Sequence, residues 1–343
     1  MDLTPTLEQS EITSSSASFL RTRLPITRTR EMFAESSNVD VASWDDSAEL
    51  GWLCLGLPSS MGGVGGNLAD EALLFLELGR SLASGPYLST VLGARVAAFG
   101  GQPELANEIA NGRRVGFAIA SSPNLIGADG VLNGDLQLLD TDDHGLVLVV
   151  DQHRSVLISS DDLTSVTTVE CIDPAVRLQR AVAQSVRSLA MVSTESDSLA
   201  LRGHVLIAAM LTGITEAVRD ISAEHAKNRM QFDKPIGVNQ AVKHPCAEMA
   251  VQAQLAYAQT LFAALCIDEG RDDAELHALS AHMVATQAAE ASAAATIQIL
   301  GGMGFTFEHD AQLYVKRAYV LSLLLGGTSA LLNRLLELPG SQS

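Results

Sequence analysis

The chain has 343 residues, which at about 150 residues per domain suggests two or three structural units. Lys and Arg number 22 against 40 Asp and Glu, a net charge of −18. Duplex DNA and anionic membranes both reward a cationic face, so neither is the expected main partner, although a local basic groove for an anionic cofactor stays open. Hydrophobic residues make up 47%, too many for a disordered chain. Aromatics are only 4%, so Ala, Leu, Val and Ile must build the core. No run of 18 apolar residues occurs, so no membrane span is expected. The polar start MDLTPTLEQSEITSS has no signal-peptide core. Cys54, Cys171, Cys246 and Cys266 stand far apart, with no CxxC and no Cys/His cluster. They read as reduced, mostly buried thiols of a cytoplasmic protein, and no metal is expected.

Along the chain the hydrophobic period changes twice. Residues 1–110 read as an N-terminal helical domain. In it, ADEALLFLELGRSL (69–82) has apolar residues at helical spacing, with Asp70 and Glu71 near a helix start where the dipole favours them. The preceding GLPSSMGGVGGN (56–67) is a loop whose glycines allow positive φ or close backbone approach. Residues 111–192 read as a small antiparallel β domain. RVGFAIA, DGVLNGDLQLL, GLVLVVD, RSVLISS and TSVTTVE are short, β-branched strands, and Asn133-Gly134 predicts a type I′ hairpin turn. Residues 193–343 read as a C-terminal helical bundle. Segments 196–227, 239–269 and 273–300 are long and Ala/Leu-rich, and a last helix covers 328–337. The small residues on nearly every face of 281–297 predict a helix buried between neighbours. The fold class expected is mainly α with a small β domain.

Two stretches are more specific than composition: NRMQFDKPIGVNQAVKHPCAEMA (228–250), and QILGGMGFTFEHDAQLYVKRA (298–318) followed by LLLGGTSALLNRLL (323–336). With GLPSSMGGVGG and ELGR (77–80) before them, in this order, the chain resembles the acyl-CoA dehydrogenase family over essentially its whole length. The resemblance implies an FAD-dependent fold that oxidises the Cα–Cβ bond of an acyl-CoA thioester. In that family two subunits clasp each FAD, and an electron-transfer flavoprotein-type acceptor is implied.

Carried over residue by residue, Arg229 sits where the family pairs with the FAD pyrophosphate of the partner subunit, a role that suits a planar guanidinium. Phe232 takes the aromatic position, and Gln240 completes the spacing. Asp233 stands where the family usually has Gly, and is expected to point away from the phosphate. Gln298, Gly301 and Gly302 match the stretch that lets a dinucleotide approach bare backbone. The plainer reading of these glycines is a helix C-cap. Thr328 follows the position of the usual catalytic carboxylate, which here is Gly326, and a glycine abstracts no proton. An alternative family position for the base falls around Arg202-Gly203-His204, again without a carboxylate. His204, His277 and His282 are read as surface or interface residues, and Lys243 and His244 as a polar helix face.

The segment that usually cradles the flavin is reduced to AIASSPNLIGAD (118–129), where Ser121 and Ser122 could replace one hydroxyl. No Trp follows it, since the tryptophans are Trp44 and Trp52. The half of the flavin site that a subunit builds for itself is thus eroded, while the half it lends is kept. That division resembles the short, base-lacking subunit of actinobacterial α2β2 acyl-CoA dehydrogenases of steroid side-chain degradation. It implies a non-catalytic subunit beside a base-carrying partner that holds most of the FAD and binds the acyl-CoA. Two other readings compete: a self-sufficient flavin monooxygenase-like enzyme, and a flavin-free scaffold.

Overall fold

The computed structural model describes residues 3–34, 38–120, 125–151, 153–194, 197 and 199–338. Helices α1 (Leu7–Arg23), α2 (Ile26–Glu31), α3 (Val41–Glu49), α4 (Leu68–Arg80), α5 (Tyr87–Phe99) and α6 (Pro103–Ala110) come first. Strands β1 (Val115–Ala120), β2 (Val131–Leu139), β3 (Leu146–Val150), β4 (Arg154–Ser159), β5 (Thr164–Val169), β6 (Leu178–Arg187) and β7 (Ala190–Ser193) follow. Then come α7 (Leu199–Asn228), a two-strand hairpin of β8 (Met230–Gln231) and β9 (Lys234–Pro235), α8 (Gln240–Asp268), α9 (Ala274–Leu300), α10 (Ala311–Leu323) and α11 (Gly327–Glu337). The chain is therefore mainly α, with N-terminal helices, a central sheet and a C-terminal helical bundle. It condenses into two compact units. One comprises Met1–Ile26, Ala72–Ala83 and His204–Ser343, the other Thr27–Glu71 and Ser84–Gly203.

In the sheet-bearing unit the strand order is β5-β6-β2-β1-β3-β4-β7. Val115, Phe117 and Ala118 of β1 pair in parallel with Leu146, Leu148 and Val149 of β3, so the sheet is mixed, not the antiparallel unit expected. The chain leaves β2 on one side of β1 and returns on the other, a crossing that strand composition does not encode. Asn133-Gly134 lies inside β2, paired with Gln184 and Ala183 of β6 across a bulge. No hairpin turns there. Asn133 Oδ1 instead accepts the Ser185 backbone N–H at 2.8 Å. Strand β6 escapes a β-propensity reading because its inward positions are Ala181, Ala183 and Val186 between polar residues. Leu132, Leu136, Val147, Val156 and Ile158 form the apolar core of the sheet. Helix α5 packs on the sheet, where Ser89 Oγ donates to the Val115 carbonyl and Thr90 Oγ1 accepts the Val115 N–H. Trp44 donates from Nε1 to the Gly112 carbonyl at 2.8 Å and lies 4.7 Å from the Tyr87 ring; it is a structural residue.

In the other unit α7, α8 and α9 form the long members expected, and α10, which the periodicity did not single out, packs on α9. Alanines 278, 281, 285, 289 and 293 of α9 are fully buried at helical spacing. Their small side chains let neighbouring helices approach. The tightest crossing is α4 on α7. A Cβ added to Gly79 would lie 2.0 Å from the Met210 carbonyl oxygen, and one added to Gly213 would lie 2.0 Å from that of Leu76. Arg80 extends the same junction: its guanidinium reaches Glu216 and Asp220, each at 2.5 Å, and its carbonyl accepts the Tyr314 hydroxyl at 3.0 Å. ELGR is thus a structural knot.

Three helical stretches meet the length and composition needed to cross a membrane: Leu199–Asn228, Gln240–Asp268 and Ala311–Glu337. Ala, Leu, Val and Ile raise their mean hydropathy, while scattered Gly, Thr and polar residues interrupt any unbroken apolar run. The most apolar stretch of the first is 89% buried, against 39% and 28% for the others. The outer faces of α8 and of α10–α11 therefore carry apolar residues in the open, among them Val251 and Leu255, one turn apart on α8. The four cysteines are free; Cys54 and Cys266 are buried, while Cys171 and Cys246 are only half-buried.

Gly213→Ala should destabilise the protein by about 2–3 kcal/mol, the usual cost of overpacking a closed contact. Urea unfolding of the variant checks this; an unchanged midpoint would show that the crossing relaxes freely.

Candidate functional site

The two motif stretches lie in the same unit. Helix α7 ends at Asn228, and Arg229, Met230 and Gln231 run directly into the β8–β9 hairpin, in which Gln231 pairs with Lys234. The two residues between them, Phe232 and Asp233, have φ of 51° and 61°. Two left-handed central residues are what a two-residue hairpin requires. This accounts for Asp233: the position wants Gly or a residue tolerant of left-handed backbone, and Asp is one. Phe is not, yet Phe232 holds that conformation and is 96% exposed. Arg229, Lys227, Lys234, Gln240, Lys243 and His244 are all exposed around the same hairpin and the start of α8, a local cationic surface on an acidic chain.

The second motif closes α9. Gly301 is its C-cap, with φ of 64° and its N–H bonded to Ile297 O, so the plainer reading of that glycine holds as geometry. A Cβ added to Gly301 or Gly302 would meet nothing within 4 Å, and Gln298 is exposed one turn earlier. Bare backbone thus faces open space beside an amide. Phe305 and Phe307 follow at 77% and 80% exposure. His225 ties the two motifs together. Burial lowers its pKa, and the charges of Arg229 and His309 lower it further, which places the loop after Gly301–Phe305 beside the end of α7. His225 and His309 are not singled out by sequence, because nothing in their spacing joins them to Arg229. The cationic side chains and open backbone fit the diphosphate of a dinucleotide such as FAD.

Where a catalytic carboxylate would stand, the backbone is left-handed through Leu325, Gly326 and Gly327, with φ of 55°, 107° and 68°. Thr328 is half-buried in the first turn of α11. The alternative base position is filled differently from the sequence expectation. Glu71 does not serve the start of α4; that is capped by Asp70 and Asn67, which exchange side-chain to backbone bonds at 2.9 Å. Its carboxylate is buried and bonds Arg202 Nη2 at 2.6 Å. A Cβ on Gly56 would fall 2.2 Å from that carboxylate, so this glycine of the loop leaves room for Glu71. Beside the pair, Arg95 bonds Asp197 at 2.7 Å and the Gly56 carbonyl at 3.1 Å. Together Glu71, Arg202 and Arg95 line one small pocket with Cys54 and Val91. The Glu71 carboxylate is thus engaged by Arg202 inside this pocket.

His204 and His282 are not at a surface. Their Nδ1 atoms are 2.9 Å apart in the interior of the bundle, so one ring donates and the other accepts. Burial holds His282 at about 4 and, with the neighbouring ring, pushes His204 well below its ordinary value. Both rings are neutral at pH 7, and His204 works as a packing residue. Lys243 and His244 lie on an exposed helix face, as expected. Ser121 and Ser122 lie outside the described residues.

Arg202→Met leaves Glu71 buried without its cation and should cost about 3–5 kcal/mol of stability, whereas Glu71→Leu combined with Arg202→Met should recover most of the loss. Chemical denaturation of the three variants tests this; a single variant as stable as the parent would show that Glu71 is not held as an ion.

The acyl-CoA dehydrogenase N-terminal domain matches residues 6–109 and the C-terminal domain residues 200–337. Acyl-CoA dehydrogenase IpdE2 of Mycobacterium tuberculosis is 31% identical over 341 residues, covering 97% of this chain and 98% of the relative. IpdE2 of Mycolicibacterium smegmatis is 29% identical over 290 residues, 84% of each chain. Among solved structures, the ChsE4-ChsE5 complex from Mycobacterium tuberculosis superposes with a TM-score of 0.85 at 23% identity, over 99% of this chain and all of the other. A Tcur3481-Tcur3483 steroid ACAD variant gives 0.85 at 24% over 96% of each. Matched in both terminal domains and related to IpdE2 along nearly its full length, the chain belongs to the acyl-CoA dehydrogenase family.

Proposed function

We propose that this chain is the non-catalytic subunit of a heteromeric, FAD-dependent acyl-CoA dehydrogenase of the α2β2 kind, acting in the cytoplasm on a steroid (cholesterol) side-chain CoA thioester. The observation that carries the reading is the contrast inside one unit. Left-handed glycine stands at the base position, while Arg229, Phe232, Gln298 and the open Gly301-Gly302 backbone face outward. Similarity to the ChsE4-ChsE5 and steroid ACAD structures supports a partner subunit, as does the apolar surface of α8, α10 and α11.

In this reading Arg229 holds the diphosphate of an FAD seated mostly in the partner, by a bidentate charge-assisted contact. Gln298 and the N–H groups near Gly301 and Gly302 bond the dinucleotide, Phe232 packs its ring at the same seam, and Gln240 lies close by. The bound flavin supplies an acceptor for the hydride from Cβ, and the partner supplies the carboxylate that takes the α-proton. An electron-transfer flavoprotein-type protein would serve as the electron acceptor of the complex. This chain's own pocket, filled by the Glu71–Arg202 pair, takes no part.

Purified alone, the chain should be colourless. Co-purified with its partner, it should give a yellow complex with about half a flavin per chain, by mass and absorbance. Arg229→Ala should weaken FAD binding to that complex by about 1.5–3 kcal/mol. A yellow, active homomer would establish a self-sufficient flavoenzyme instead, and a colourless complex a scaffold. Gly326→Glu should not create activity in this chain. It forces a carboxylate residue into left-handed backbone with its Cβ 2.9 Å from that of Ala330, and should cost about 1–3 kcal/mol of stability. Turnover by the variant alone would overturn that account.

A further inference from the structure

The turn between α8 and α9 brings together three side chains of different chemistry that lie apart in sequence. Cys266 comes from the last turn of α8, Asp273 from the N-cap of α9 and His277 from one turn further on. The thiol sulfur, a carboxylate oxygen and an imidazole nitrogen all lie within 4.8 Å of one another, the one such trio of candidate ligands found among the described residues. His277 Nε2 is 3.4 Å from Asp273 Oδ2, the spacing of two neighbouring ligands on a tetrahedral ion with bonds of about 2.0–2.2 Å.

The rest of the corner is organised around them. The Phe262 ring meets the His277 ring edge-on at 4.6 Å and fixes its plane. The Gln259 amide lies 3.5 Å from His277 Nδ1. The same Gln259 Nε2 donates to the His277 backbone carbonyl at 3.4 Å. Arg271 Nε bonds Asp273 Oδ1 at 2.8 Å and Nη2 bonds Oδ2 at 2.6 Å. The guanidinium is the cation that Asp273 holds when no metal is bound.

We propose that Cys266, Asp273 and His277 form a binding site for a zinc-like divalent transition metal, with water completing a tetrahedral shell. One sulfur, one nitrogen and one oxygen ligand suit Zn²⁺ or Co²⁺ and disfavour Mg²⁺ and Ca²⁺. The buried thiol is protonated in the absence of metal, so metal–sulfur bond formation releases its proton to solvent while the metal keeps its oxidation state. The ion joins the end of α8 to the start of α9 and staples the helical hairpin that this bundle is built on. Oδ2 turns from Arg271 to the metal, so the arginine competes with binding.

Titration of the full-length chain with Co²⁺ tests the site, since a cobalt–thiolate bond gives a near-ultraviolet charge-transfer band. One equivalent should saturate the wild-type band. The band should vanish in Cys266→Ser, persist in Cys246→Ser, and require more than about 100-fold higher metal in His277→Ala, a loss greater than outer-shell changes cause. Arg271→Ala should tighten binding within about tenfold, an exposed ion pair being a weak competitor. Circular dichroism checks the fold of each variant, and if Cys266→Ser fails to fold, the His277→Ala titration decides. No saturable band in the wild type, a band that survives in folded Cys266→Ser, or undiminished affinity in His277→Ala would each overturn the proposal.

Discussion

The α4–α7 crossing is the constraint on which the helical unit rests. Gly79 and Gly213 let the two backbones touch, and no side chain fits between them. Once the axes are this close, Arg80 at the end of α4 falls beside Glu216 and Asp220 of α7. Its carbonyl and that of Ala83 are then left for Tyr314 and Arg317 of α10. Gly79 and Arg80 of ELGR, with Gly213, therefore set the relation of α4, α7 and α10. Everything displayed beyond the end of α7, including Arg229 and the strained hairpin, is carried on that frame.

Charge is distributed unevenly along the chain. Inside the sheet-bearing unit, Glu71 with Arg202 and Asp197 with Arg95 cancel pairwise in buried positions. Each pair sets opposite charges together, so neither adds net charge to that interior. On the helical unit, Arg229, Lys234 and Lys243 remain exposed and cationic, although the chain as a whole carries −18. A surface of that sign on so acidic a protein is where a diphosphate would collect.

Much of this was legible in the sequence, and what was not has definite physical reasons. Helices α7, α8 and α9 were readable because they are long, Ala/Leu-rich segments of 27–30 residues with little Gly or Pro inside. That position 326 offers no carboxylate was readable, because glycine has no side chain. The β1–β3 parallel pairing was not, since order in a sheet is decided by crossings and not by strand composition. Asn133-Gly134 misled because β6 captured the segment as one continuous strand. Glu71 was read as a helix-start residue because Arg202, its partner, lies 131 positions away. His204 and His282 were taken for surface residues because each ring alone is polar. In the fold they face one another, and each Nδ1 is partnered by the other ring.

The hairpin displays Phe232 at a conformational cost. A bulky residue at positive φ costs about 1–3 kcal/mol and persists only where its surroundings impose it. Here the two-residue turn imposes it, with Asp233 carrying the second left-handed position at lower cost. Nothing inside the chain gains from the result, because the ring is 96% exposed. An apolar ring held at a fixed angle away from its own core has lost its conformational freedom before any contact is made. Binding then proceeds without that ordering cost. Phe305 and Phe307 are exposed as well, with the Lys316 ammonium over the Phe307 ring. Strain and exposure coincide at Phe232, beside the exposed Arg229 and Lys234.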